Sequence, residues 1–181
     1  MDEGLIARRY ARALYRYALE EKVAEEVYEA MKAFDANAYS HPDLHRALGN
    51  PMLAPEKKER LIVAAIGREP GEALLKFIRL LIKNHRETYM RLISFVYQKI
   101  YREANGIVKV NILTAEELPA EAMERIKAFV KRQTSKAIEF VHNVDSSILG
   151  GFILQVGSRQ LDASLRKELK DIGLKLLGQG Y

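Results

Sequence analysis

The sequence predicts a mainly α protein: an N-terminal six-helix bundle over residues 1–104, followed by a small α+β domain over residues 105–181. Three observations predict it. Apolar residues recur at helical spacing through residues 1–104, punctuated by proline and glycine. The period switches to strict alternation just after Asn105-Gly106. Strand-like and helix-like stretches then follow one another to the end of the chain, the pattern of a small mixed domain.

The first helix, Leu5–Glu21, carries Ile6, Tyr10, Ala13, Leu14 and Tyr17 at helical spacing. The second, Val23–Ala38, repeats the pattern with Val27, Ala30, Met31 and Phe34, and Ser-His-Pro at 40–42 interrupts it. A short helix, Asp43–Leu48, ends at Gly49, and Asn50-Pro51 signals a turn. Pro55 suits the first position of the next helix, where its missing N–H would be unpaired in any case. That helix runs to Ile66 and stops at Gly67. Pro70-Gly71 opens the fifth, with Leu74, Phe77, Ile78 and Leu81 on one face. The sixth covers Glu87–Glu103, with Leu92, Val96 and Ile100 four apart. Helices joined by short connections argue for a bundle.

In the second domain, Val108, Val110 and Ile112 alternate with Lys109 and Asn111, which predicts a strand over 107–114. Thr114 and Glu117 have the spacing of a capping box, and Pro119 allows a helical start. Met123, Ile126, Phe129 and Val130 form the stripe of a helix ending near Thr134. A second strand, 138–144, puts Ile138, Phe140 and Val144 on one face with His142 among them, as a core or edge histidine. Asp145-Ser146-Ser147 makes a turn, and a final helix is expected over Leu165–Leu177.

The segment GGFILQVGSRQLDAS, residues 150–164, invites a reading as a phosphate loop. A Walker loop needs G-x-x-x-x-G-K-[ST], and Gly157 is followed by Ser158-Arg159, with no lysine for the phosphates. The dinucleotide spacing fails as well. Gly150-Gly151 instead gives a flexible or closely packed strand entry, after which Phe152, Leu154 and Val156 point one way. Gly157-Ser158 is a hairpin loop, Arg159–Leu161 returns as a short strand, and Asp162 or Ser164 caps the last helix.

Other chemistry is equally sparse. His41 and His45 are spaced for one helix face, but Pro42 breaks that helix and no third ligand lies nearby, so a surface pair is expected. The absence of cysteine excludes disulfides and thiolate metal sites. No catalytic residue, metal or cofactor is expected. The formal charge is +5, from 29 basic and 24 acidic residues that largely alternate in sign. A nucleic-acid binder with a helical reader domain is the alternative reading, yet no aromatic platform is interleaved with the Arg8, Arg12, Arg16 stripe. Tyr10, Tyr15 and Tyr17 cannot all face one core, so at least one ring is expected at an interface. No apolar run approaches the ~20 residues that span a bilayer. The acidic start MDEG is followed by no signal segment, so a cytosolic location with membrane association through a partner is expected.

Three stretches together resemble one family. IARRYARALYRYA (6–18), NPMLAPEKKERLI (50–62) and VDSSILGGFILQVGSRQLDASLRKEL (144–169) are similar, in order and over nearly the whole length, to the delta subunit of bacterial F-type ATP synthases. Its mitochondrial counterpart is the oligomycin-sensitivity-conferring protein. Phe152 sits where a smaller aliphatic is usual, and Ser158-Arg159-Gln160 varies the hairpin tip. The resemblance implies a non-catalytic stator subunit on the cytoplasmic face of the bacterial membrane, held there through the complex, with no insertion of its own. It implies that domain 1–104 binds N-terminal helices of the alpha subunits and domain 105–181 binds the b subunits of the peripheral stalk. The alpha-binding groove would lie between the first and fifth helices, at Ile6, Tyr10, Ala13, Leu14, Leu75, Ile78, Arg79 and Ile82. Gly150, Gly151, Gly157, Asp162 and Ser164 would be the structural signature of the second domain.

Overall fold

Helix dominates the chain, with one small four-stranded sheet near its end. The computed structural model describes residues 3–157, 159–167 and 169. The chain divides into two compact units, Met1–Ala104 and Asn105–Tyr181.

The first unit contains α1 (Glu3–Glu20), α2 (Ala24–Ser40), α3 (Asp43–Gly49), α4 (Pro55–Ile66), α5 (Glu72–Lys83) and α6 (Met90–Ala104). Pro55 begins α4, and Gly67 ends it with φ +75°, the left-handed turn that glycine adopts without strain. On α1, Ala7, Ala11, Leu14 and Ala18 are buried at four-three-four spacing, a seam that packs against α6. Three of the four are alanines, so α6 approaches closely and Tyr97 is fully buried. Its ring meets Tyr15 edge-on, with centroids 5.8 Å apart.

The start of the sixth helix differs from expectation. Glu87–Tyr89 is a 3-10 turn and the α-helix begins at Met90, because Glu87 turns inward to pair with Lys58 of α4. The buried face of α6 is also shifted. It consists of Met90, Ile93, Ser94, Tyr97 and Gln98, whereas Leu92 is exposed. Ser94 and Gln98 can be buried because both donate to the Met31 carbonyl, at 2.8 and 3.3 Å. The Tyr97 hydroxyl donates to the Ala24 carbonyl at 3.0 Å, and burial raises its pKa well above the ordinary phenol value. Replacing Tyr97 by Phe is expected to cost about 1 kcal/mol in a urea titration, the net worth of one neutral hydrogen bond.

The second unit contains β1 (Ile107–Thr114), α7 (Ala120–Arg132), β2 (Ala137–Val144), a 3-10 turn (Ser146–Ile148), β3 (Gly151–Val156) and β4 (Arg159–Ser164). Strand order is β2-β1-β3-β4, with β1 parallel to β2 and the other pairs antiparallel. Val110, Ile112, Leu154 and Val130 of α7 form the core, flanked by Val108, Met123, Ile126, Ile138, Phe140, Phe152 and Val156. Alternation along each strand therefore sends one set of side chains to the helix-covered face.

Three expectations fail locally. Thr114 does not form a capping box: it ends β1 fully buried, and its hydroxyl donates to the Glu116 carbonyl at 2.6 Å. That uses its single proton, so its 2.8 Å contact with His142 requires Nε2–H of the imidazole to donate. Val144 is exposed rather than in the core, as the last residue of β2, paired with Thr114 at the end of β1. β4 runs to Ser164 instead of ending at Leu161. Leu165–Lys167 and Leu169 are helical, and the rest of the expected final helix lies outside the described residues.

Gly150 and Gly151 have φ +126° and +75°, and Gly157 has φ +59°. Asp162 accepts a hydrogen bond from the Ser164 N–H at 3.0 Å, while Ser164 Oγ accepts from the Lys167 N–H at 3.3 Å, so Ser164 is the helix cap. Hydrogen bonds from Ser164, its side chain first and its backbone N–H second, hold the Asp162 carboxyl below the usual carboxylate range. The folded pKa lies below the unfolded one, so this stabilisation is present above the unfolded value and is lost as pH falls through the folded value. Asp162→Ala is therefore expected to flatten the acid limb of a stability-versus-pH curve. An unchanged acid limb would remove that role.

Candidate functional site: an apolar cleft between two helices

The first unit carries an open cleft of about 600 Å³ between α1 and α5. One wall is Ile6, Arg9, Tyr10, Ala13, Leu14 and Tyr17 of α1. The other is Lys76, Phe77 and Leu80 of α5, with Arg86 just beyond its end. Tyr10 and Phe77 meet edge-on across the floor, with centroids 6.3 Å apart. The walls are chiefly apolar, and Leu80 is 48% exposed on the α5 wall. A groove of this size and lining is the kind that receives the apolar face of an amphipathic helix.

The structure brings Ile6, Tyr10, Ala13 and Leu14 together on the α1 wall. It does not bring Leu75, Ile78, Arg79 or Ile82 to the cleft. Ile78 and Ile82 are core residues, at 0% and 8% exposure. Arg79 points to α4, where Nε and Nη2 hold the Glu59 carboxylate at 2.9–3.1 Å. Leu75 is half-buried outside the lining. The α5 wall is thus turned by roughly 160° around the helix from the face that sequence position suggests. The available signal was Leu80, an apolar residue out of phase with the core stripe Leu74, Phe77, Ile78, Leu81 and Ile82.

Of the three early tyrosines, Tyr10 and Tyr17 line the cleft, and Tyr15 packs against Tyr97 and Tyr101. Arg8, Arg12 and Arg16 are exposed, away from the cleft lining. His41 and His45 are exposed, and His41 Nδ1–H donates to the Asn37 carbonyl at 2.9 Å. Among the described residues, no cluster of three or more potential ligands could hold a metal ion. In the second unit, Gly150, Gly151, Gly157, Asp162 and Ser164 shape the β3–β4 hairpin and the helix start.

Comparison with known proteins adds the family context. A family model described as ATP synthase delta (OSCP) subunit matches residues 6–176. The chain is 33% identical over 177 residues to ATP synthase subunit delta of Parabacteroides distasonis, covering 98% of both chains. It is 35% identical over 171 residues to the subunit so named in Phocaeicola vulgatus, covering 93% of this chain and 92% of that one. It is 33% identical over 174 residues to that of a Methylobacterium strain, covering 96% and 92%. Its fold is similar to a chain in the cryo-EM structure of the Toxoplasma gondii mitochondrial ATP synthase hexamer, with a TM-score of 0.67 at 21% identity and 98% coverage of both chains.

Proposed function

The chain belongs to the ATP synthase delta (OSCP) subunit family, and from that premise we propose that it is the stator link between the catalytic head and the peripheral stalk. As a member it is an accessory component of F-type ATP synthase, not a catalytic subunit. In this reading residues 1–104 form a six-helix bundle that holds N-terminal helices of the alpha subunits, and residues 105–181 hold the C-terminal ends of the b subunits. The head is thereby kept still while the central rotor turns, so that proton flow drives ATP formation. No described helix is long and apolar enough to cross a membrane. Attachment is peripheral, through the complex, at the cytoplasmic face of the bacterial membrane.

The observation that carries this reading is the apolar cleft between α1 and α5, with Tyr10 and Phe77 on its floor and Leu80 exposed on its wall. A helix laid into it would bury these side chains as anchors. The test uses the full chain and the N-terminal peptide of the cognate alpha subunit. Binding in the micromolar range is expected. Leu80→Asp removes an apolar contact and buries a carboxylate under the peptide, at a cost of about 2 kcal/mol or more, which is roughly 30-fold in affinity. Because Leu80 is half-exposed, the fold should be unaffected. Absence of wild-type binding at micromolar concentrations would remove the reading.

A further inference from the structure

The charges around the cleft are distributed unevenly along its length. Its lining holds three cations, Arg9, Lys76 and Arg86, and no carboxylate. Their positions follow from how the two helices run. Tyr10, midway along α1, meets Phe77 of α5, while the Gly71 N–H just before α5 donates to the Glu26 carboxylate at 3.1 Å, near the start of α2 and so just past the end of α1. The helices therefore run antiparallel, and α5 advances toward the start of α1. Arg86, beyond the end of α5, joins Ile6 and Arg9 at that end. Its guanidinium lies over the Tyr89 ring, 5.7 Å from the centroid. At the opposite end, Lys76 is paired with Glu72 at 2.9 Å. One end of the cleft is thus basic with no carboxylate in its lining, and the other is neutralised.

We propose that this asymmetry fixes the direction and the chemistry of the bound helix: its acidic end lies over Arg9 and Arg86, and its apolar stripe runs back toward Lys76. The inference rests on the reading of the cleft as a helix-binding groove. Apolar packing supplies attraction without direction, because a stripe of leucines fits either way round. Charge complementarity at one end selects between the two orientations and rejects helices that carry cations there. A helix bound with carboxylates at that end sets them against two guanidiniums, whereas the reversed pose sets them near Glu72 and a lysine already neutralised by it.

The experiment measures the affinity of the full chain for the N-terminal peptide of the cognate alpha subunit, at low and at high salt. Arg9→Glu and Arg86→Glu are each expected to weaken binding about tenfold, with reduced salt dependence. Arg12→Glu, the same charge change on the exposed stripe, is expected to weaken it by about twofold at most. Converting the peptide's carboxylates to amides should reproduce the loss on the wild-type chain. If Arg9→Glu and Arg86→Glu bind no worse than Arg12→Glu, the directional reading is overturned while the groove reading stands. If the wild-type chain binds no peptide, both fall. Circular dichroism establishes that the variants are folded. Should Arg86→Glu disturb the fold, wild-type affinity that does not decline with salt is itself enough to overturn the proposal.

Discussion

Gly151→Ala is expected to destabilise the second unit by about 3 kcal/mol or more, and to open the β3–β4 pairing. Gly151 has φ +75°, where an L side chain is strained by roughly 1–2 kcal/mol. The steric clash costs more. A Cβ at this position would sit 2.2 Å from the Ala163 carbonyl oxygen and 3.1 Å from the Ser164 Cα. Both are backbone atoms of the neighbouring strand, in register through the Gly151–Ser164 pair. A side chain could swing aside, but this backbone is tied on through the strand ladder and the Leu165 N–H bond to the Gly150 carbonyl at 3.1 Å. Gly157 is the internal control. It also has a positive φ, yet nothing lies within 4 Å of an added Cβ, so Gly157→Ala should cost only the backbone strain, about 1 kcal/mol. Hydrogen exchange of the β3–β4 amides, compared between the two variants, checks this. Equal protection in both would refute the steric account.

Glu87→Ala is the second large effect, at about 3–5 kcal/mol. Lys58 of α4 and Glu87 of the turn before α6 are 6% and 4% exposed and pair with each other. Removing the carboxylate strands an ammonium in the interior. The pair is imperfect, since Glu87 Oε2 is buried with no hydrogen-bond partner. Its desolvation is therefore only partly offset, and replacing both residues by apolar ones is expected to be close to neutral or stabilising. Glu87→Ala, Lys58→Met and the double variant Lys58→Met/Glu87→Leu, measured by urea denaturation, test this. A double variant as unstable as Glu87→Ala would show that the site needs something other than charge balance.

The contrast between these two sites shows which features local pattern could carry. Helix ends were legible wherever proline or glycine marked them, as at Pro55, Gly67 and Pro70-Gly71, because those residues act through their own backbone. Strand faces were legible in β1 and β3 because alternation is a local property. The face of α6 was not, because Ser94 and Gln98 are buried through bonds to Met31 on another helix. Thr114 is similar: its spacing to Glu117 suggested a cap, but its hydroxyl is used by Glu116 and His142. Long-range polar pairs of this kind leave no local periodicity. The cleft was half legible for the same reason. Ile6, Tyr10, Ala13 and Leu14 are near neighbours on one helix, whereas the α5 wall depends on how α5 is rotated, which Arg79 helps to set through Glu59 on α4.

The role proposed for this chain is to join head to stalk, with the head gripped in the α1/α5 cleft. Co-sedimentation of the catalytic head with the soluble part of the b subunits probes that role as a whole. It is run with full-length wild-type chain or with a variant carrying Ala13→Asp and Leu80→Asp, two exposed positions on the cleft walls. The wild-type chain should bring head and stalk down together. The variant should still bind the b subunits and lose the head. Head and stalk associating equally well without the chain, or through the variant as through the wild type, would overturn that role.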